Sequence, residues 1–249
     1  MEKYYIEEVK IVKALPRNAY FSGLPAVRNL AGAGKISFGN DVTFIVGENG
    51  SGKSTLLEAV AVAAGFNPEG GTKNFSFSTF DSHSGLSDYI TLSRGAYPKD
   101  GFFLRAESFY NLASSIEELD SQPCGSPHVI GAYGGVSLHE QSHGESFLAV
   151  LRNRFFGNGL YILDEPEAAL SPTGIMSLMV IIHDLTEKDS QFIISTHSPI
   201  LMAYPGAFIY ELREREIAAV SYRETSHYIL TRRFLEQPEK MAERLLGNE

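Results

Sequence analysis

Cysteine occurs once in the 249 residues, as Cys124. A lone cysteine excludes an intrachain disulfide framework and a thiolate metal cluster. No apolar run reaches the roughly 20 residues that a membrane-spanning helix needs, and Met1-Glu2-Lys3-Tyr4 does not open a secretion signal. A cytoplasmic location is therefore expected. Basic residues are also scarce, with 21 Lys and Arg against 30 Asp and Glu and a net charge of −9. The chain as a whole offers no general attraction to nucleic acid, which leaves a local basic groove or a partner as the route to DNA. Internal repeats and heptad runs are missing, which excludes a long coiled coil in this chain.

What is present is a globular composition, 43% hydrophobic and 20% charged, organised around Gly47-Glu48-Asn49-Gly50-Ser51-Gly52-Lys53-Ser54-Thr55. This stretch fits G-x-x-x-x-G-K-[ST]. Val42–Val46 before it is β-branched and aromatic, as a buried strand requires, and Leu56–Ala64 behind it reads as a helix stopped by Gly65. Strand, glycine-rich turn and helix form the context that gives the pattern its meaning. Glycines let successive N–H groups curl toward a polyphosphate, and the helix N-terminus adds its positive end. Asn49, Gly50, Ser51, Gly52, Lys53, Ser54 and Thr55 are thus the expected nucleotide-binding residues. Lys53 would reach the β- and γ-phosphates, and the Ser54 hydroxyl would ligate magnesium.

Before this loop, Tyr4–Val12 and Lys35–Phe38 read as strands. Gly39-Asn40-Asp41 then turns the chain into Val42–Val46 as a hairpin, so a small antiparallel sheet is expected there. Phe75–Ser78, Tyr89–Leu92 and Gly101–Ala106 read as further strands, with a helix from about Glu107 to Leu119. Ser121–Gly135 is a Gly, Pro and Ser connection. Leu160–Leu163 and Gln191–Ser195 are continuous apolar strands, separated by a helix that Ser171 caps and Pro172 opens. Phe208–Leu212 and Ile217–Val220 form a closing hairpin. A helix over Ser226–Leu246 is bent or broken by Pro238. Buried strands alternating with helices imply a mainly parallel α/β sheet.

Asp164-Glu165-Pro166 follows the strand Leu160–Leu163, at the strand end where ligands of such sheets bind. Asp164 is placed to hold magnesium, and Glu165 to orient and deprotonate water. Alone, the pair would read as a solvated acidic turn. Beside a P-loop it reads as catalytic machinery.

Leu163-Asp164-Glu165-Pro166-Glu167, Ala168-Ala169-Leu170-Ser171 and Ser195-Thr196-His197-Ser198-Pro199 together resemble an ABC-type ATPase. Gln141-Ser142-His143-Gly144-Glu145 ahead of a helix resembles that family's signature segment, in the wording of the SMC, RecF and related stand-alone branch. The resemblance runs from about Ile36 to Leu212. It implies a P-loop NTPase of ABC-ATPase type, with an α/β parallel core, an N-terminal antiparallel sheet and a small helical lobe. One domain is expected over 1–249, with the lobe inserted at about 75–150. It further implies that His197 contacts the γ-phosphate and that Ser142, Gly144 and Glu145 meet the ATP of a second subunit. Glu107 would stand where the family carries a glutamine that touches magnesium and water, and Arg28 beside Asn29 where SMC-like heads carry a basic pair near the nucleotide. Ser171 stands where the family usually has Asp.

The implied function is Mg2+-dependent ATP hydrolysis by a soluble ATPase that closes as an ATP-sandwich homodimer. It would serve DNA repair or antiphage defence with a protein partner or nuclease, and DNA itself is a possible ligand. The alternative is the nucleotide-binding subunit of an ABC transporter, whose signature wording is missing. A third reading, a nucleotide-gated scaffold with negligible turnover, is opposed by the intact Glu165. His139-Glu140-Gln141-Ser142-His143 also spells H-E-x-x-H, a zinc-protease pattern that needs one continuous helix through both histidines. Gly134-Gly135 and Gly144 stand against that helix.

Overall fold

The computed structural model describes residues 4–72, 84–106, 109 and 143–247. The core is a six-stranded sheet of β3 (Val42–Gly47), β5 (Asp100–Arg105), β6 (Gly159–Asp164), β7 (Gln191–Ser195), β8 (Phe208–Leu212) and β9 (Ile217–Val220). Its order is β5-β6-β7-β3-β8-β9. Every pairing is parallel except the β8–β9 hairpin.

Period-2 alternation divides the sheet's apolar residues between two faces. Phe44, Phe102, Tyr161, Leu163, Phe192 and Ile194 enter one core cluster, while Ile45, Phe103, Leu160, Ile162 and Ile193 enter the other. The first face is covered by α3 (His143–Arg154) and α4 (Pro172–Thr186), the second by α2 (Lys53–Ala64) and the N-terminal region. Strands buried on both faces are what a parallel interior demands.

A second sheet of β1 (Glu8–Ile11), β2 (Ile36–Ser37) and β4 (Ile90–Ser93) is antiparallel, in the order β2-β1-β4. The expected antiparallel sheet is therefore there, but the expected hairpin of Lys35–Phe38 with Val42–Val46 is not. β2 pairs with β1, whereas β3 inserts between β7 and β8. All six residues of β3 are buried, a burial that two parallel neighbours satisfy and a surface hairpin does not.

Gln191 ties the sheets together. Its Oε1 accepts from the N–H groups of Tyr5 (3.0 Å) and Ile6 (2.9 Å), and its Nε2 donates to the carbonyls of Ile6 (2.8 Å) and Phe38 (2.9 Å).

Most of the lobe expected at about 75–150 lies outside the described residues, as do the helix from Glu107, the strand Phe75–Ser78 and Cys124. Its described parts include β4 and β5, which belong to the two sheets, and the start of α3. Ser171 caps α4 as expected, its Oγ accepting from Gly174 N–H. The C-terminal helix breaks at Gln237 (φ −143°) into α6 (Ser226–Glu236) and α7 (Pro238–Leu246), with Pro238 opening the second. The remaining helices are α1 (Pro25–Ala33) and α5 (Pro199–Met202). No helix among the described residues is long and apolar enough to cross a membrane.

Candidate functional site

The parallel register brings the site together. Arg105 pairs with Asp164, Asp164 with Ser195, and Ser195 with Ile45, so the ends of four adjacent strands lie in one row. The P-loop leaves β3 at this edge, where ligands of such sheets bind.

The loop's glycines are required by its backbone. Gly47 has φ 152°, and a Cβ there would sit 2.7 Å from the Leu212 carbonyl oxygen; Gly50 and Gly52 hold φ 79° and 93°. These left-handed values are open to glycine and strained for other residues. Lys53 is buried and donates to the carbonyls of Gly47 (3.0 Å) and Glu48 (3.3 Å). Burial lowers its pKa, against the opposing charges of Glu165, Asp164, Glu167 and Glu48. Ser51 Oγ is buried with no hydrogen-bond partner among the described residues. An unpaired buried hydroxyl inside a curled loop of N–H groups suits an anionic oxygen.

Asp164 is 6% exposed. Its Oδ1 accepts from the Ser195 hydroxyl at 2.5 Å, its Oδ2 lies 3.5 Å from Arg105 Nε, and the Ser54 side chain also hydrogen-bonds to it. Burial raises its pKa, opposed by these three partners. Arg105 bridges to Glu58 at 2.8 Å, so two carboxylates flank one guanidinium.

Glu165 adopts the left-handed conformation (φ 49°, ψ 53°), which costs a non-glycine residue about 1–3 kcal/mol and tends to occur at functional positions. Its N–H donates to both the carbonyl and the hydroxyl of Ser195, each at 3.1 Å. The carboxylate stands 3.8 Å from Lys53 Nζ and 3.2 Å from His197 Nε2. The latter pair meets the distance but not the direction of a straight hydrogen bond, since Nε2 has no hydrogen-bond partner among the described residues.

His197 is held on its other sides. Its N–H donates to Glu167 Oε1, and its Nδ1 lies 3.0 Å from Nε2 of His227, in the first turn of α6. Burial pushes both histidines below their ordinary pKa, with the Lys53 charge acting in the same direction. Glu167 is raised by burial, and its Oε2 has no partner among the described residues.

Of the other expected residues, Arg28 is exposed and donates to the Glu214 carbonyl at 3.5 Å, and Asn29 to that of Arg213 at 2.8 Å. Both are thereby tied to the β8–β9 turn. The Ala26 N–H donates to the Ser51 carbonyl, so α1 starts against the P-loop. Asn49, Gly50 and Ser51 line a cleft of about 480 Å3 whose far wall includes Glu211, Arg213 and Ser226. Asp164, Glu165 and His197 stand outside it. Gly144, near the N-terminus of α3, packs against the segment after Glu165: a Cβ on it would lie 3.1 Å from the Ala169 carbonyl oxygen. Glu145 is exposed on the first turn. Ser142 and Glu107 lie outside the described residues, as do residues 139–142 of the H-E-x-x-H pattern.

His227, Arg105, Glu167 and the Ser195 hydroxyl are not among the site residues expected from the sequence. The third acidic group of Asp164-Glu165-Pro166-Glu167 is a visible signal for Glu167, whereas no local signal marks His227.

Two family models match in succession: one described as "AAA domain" over residues 26–114, the other as "AAA domain, putative AbiEii toxin, Type IV TA system" over residues 127–203. A curated relative, structural maintenance of chromosomes protein 6 of Takifugu rubripes, is 30% identical over 97 residues. That match covers 39% of this chain and spans only 8% of the length of the relative. Among solved structures, an ATP-binding cassette of an ABC transporter aligns with 93% of this chain and 98% of its own, at 18% identity and a TM-score of 0.51. That likeness shows the fold. Two separate stretches of the chain are thus similar to AAA-domain families, and the chain has the fold of an ATP-binding cassette.

Proposed function

We propose that this protein hydrolyses Mg·ATP, with Glu165 as the base that activates water. The observation that carries the reading is the placement of that carboxylate. The Ser195 clamp holds Glu165 in a strained backbone conformation, with its side chain between the P-loop lysine and His197. Conformational strain held against a phosphate-binding loop is the kind that serves chemistry. His197 would add a donor to the γ-phosphate from the opposite side.

Magnesium fits the donor set. Ser54 and Asp164 offer a hydroxyl and a carboxylate already in hydrogen-bonding contact. No group of three or more His, Cys, Asp or Glu side chains among the described residues would cage a metal. Magnesium at nucleotide sites is held in just this way, by one or two protein oxygens together with phosphates and water. When bound it would neutralise charge developing on the phosphate oxygens, and Glu107 is proposed to reach it or the water.

We further propose that two copies close on two ATP molecules, with Ser142, Gly144 and Glu145 of each completing the site of the other. The seat of Gly144 against Ala169 supports this reading, because it joins the signature segment to the segment that follows Glu165. The name of the curated relative refers to chromosome maintenance and the description of the second family model to a toxin system, and both support the reading of a role in DNA repair or antiphage defence beside a partner.

The test is phosphate release with and without magnesium. Wild type is expected to be active only with the metal, and Glu165→Gln to lose about 100-fold or more in kcat, the usual scale for a general base. Equal rates in the two proteins would remove Glu165 from the role.

A further inference from the structure

We propose that His227 is a positioning residue for turnover. By donating its Nε2–H to Nδ1 of His197, it fixes that ring in the tautomer whose own proton sits on Nε2, facing Glu165. The proposal rests on the ATPase reading of the site and adds to it a residue of the C-terminal helix.

The argument is one of donors and acceptors. Both rings are pushed toward the neutral form, so each carries one N–H and one lone pair. At 3.0 Å, one of the two facing nitrogens must donate and the other accept. Two assignments are open. In the first, His227 Nε2–H donates to His197 Nδ1; His197 then carries its proton on Nε2, 3.2 Å from the Glu165 carboxylate. The only unpaired atom left on His227 is a lone pair on its buried Nδ1. In the second, His197 Nδ1–H donates to His227. A lone pair on His197 Nε2 then faces a carboxylate, and a buried N–H on His227 Nδ1 is left without an acceptor. Each assignment leaves one buried ring N–H without a straight hydrogen bond, so the contact with Glu165 decides: a lone pair 3.2 Å from the carboxylate repels it, whereas an N–H there attracts it. The first assignment is therefore favoured.

The fold fixes His227 firmly enough for this task. Thr225 Oγ1 accepts from the Tyr228 N–H, and Glu211 Oε1 accepts from both the N–H (2.8 Å) and the hydroxyl (2.7 Å) of Ser226. Arg213 Nε holds the other oxygen of Glu211 at 2.9 Å. The charges acting on His227 are those of Glu48, Glu211 and Lys53. Past this first turn the arm is loosely seated, for no residue of α6 or α7 is buried. The seating of α6 and the readiness of His197 are therefore linked through one side chain. In this respect His227 resembles the partners that orient a ligating or catalytic histidine through its second nitrogen, whose loss costs about 10–100-fold.

The experiment compares wild type, His227→Phe, His227→Gln and Glu165→Gln. His227→Phe keeps a ring of similar size without the donor, and His227→Gln returns an N–H donor at nearly the same reach. The expected result for His227→Phe is a fall of about tenfold or more in kcat, with KM for ATP changed by less than about twofold, and recovery of most of the loss in His227→Gln. In 15N-labelled protein, long-range imidazole correlations should report His197 as the Nε2–H tautomer in wild type and as a mixture in His227→Phe. The proposal is overturned by a His227→Phe kcat within about twofold of wild type, by equal loss in the Phe and Gln variants, or by an Nδ1–H tautomer of His197 in wild type. The tautomer is read without turnover, so it tests His227 even where the ATPase assay fails. Loss of activity in Glu165→Gln with none in His227→Phe removes this proposal and leaves the ATPase reading standing.

Discussion

Replacing Ser195 with Ala tests how the fold holds the site. Ser195 is fully buried, and its hydroxyl serves two consecutive residues, donating to Asp164 Oδ1 at 2.5 Å and accepting from Glu165 N–H at 3.1 Å. Loss of the second bond costs little, because the same N–H also reaches the Ser195 carbonyl at 3.1 Å. Loss of the first removes a charge-assisted bond from a buried carboxylate, on the order of 1.5–3 kcal/mol. Arg105 at 3.5 Å and Ser54 remain as partial substitutes, so about 2 kcal/mol is expected. For a chain of this size that lowers Tm by about 4–8 °C. The assay is thermal unfolding without nucleotide, with Ser190→Ala as the control. Ser190 is an equally buried strand-edge serine whose hydroxyl has no partner among the described residues, so its removal is expected to shift stability by less than about 0.5 kcal/mol. Equal shifts in the two variants would refute the reasoning.

Three further perturbations follow from the geometry. Gln191→Leu leaves up to four backbone groups unpaired where β7 meets the N-terminal sheet; a loss of about 3 kcal/mol or more in urea unfolding is expected, and less than about 1 kcal/mol contradicts the staple. Gly47→Ala forces a Cβ to 2.7 Å from the Leu212 carbonyl oxygen at φ 152°, so nucleotide binding and stability should fall together; binding unchanged in titration calorimetry would contradict the close approach. The third is a pH effect. Burial holds the His227 pKa below its ordinary value of 6.5, with Lys53 acting the same way and Glu48 and Glu211 opposing. Well above pH 6.5 this ring is neutral whether the chain is folded or unfolded. As pH falls through 6.5 the unfolded chain takes up a proton that the folded ring refuses, so stability contributed by the neutral ring is lost on acidification. The unfolding free energy of wild type should therefore fall more steeply between about pH 7 and 5.5 than that of His227→Gln, and parallel slopes would contradict it.

Much of this was legible in the sequence because it rests on local chemistry. The P-loop glycines, the cap at Ser171-Pro172, the break at Pro238 and the apolar strands ending at Asp164 and Ser195 are each dictated by a few neighbouring residues. What escaped depends on pairing at long range. Gly39-Asn40-Asp41 is a good turn, and its local signal favoured a hairpin, but the burial of β3 on both faces decided for two parallel neighbours. Arg105 meets Asp164 only through the β5–β6 register. His227 lies 30 residues from His197, and no periodicity announces that the first turn of α6 returns to the end of β7. Glu167 reads in sequence as one more acid of a solvated turn, yet in the fold it is buried against the His197 N–H.

The proposed cycle, in which ATP binding closes two copies of this chain and hydrolysis at Glu165 reopens them, is tested by sedimentation of Glu165→Gln with and without Mg·ATP, beside wild type and Ser142→Arg. Glu165→Gln is expected to accumulate as a dimer only when ATP is present, wild type to do so transiently, and Ser142→Arg in the Glu165→Gln background to stay monomeric. A Glu165→Gln protein that remains monomeric at saturating ATP and still releases phosphate at the wild-type rate would contradict it.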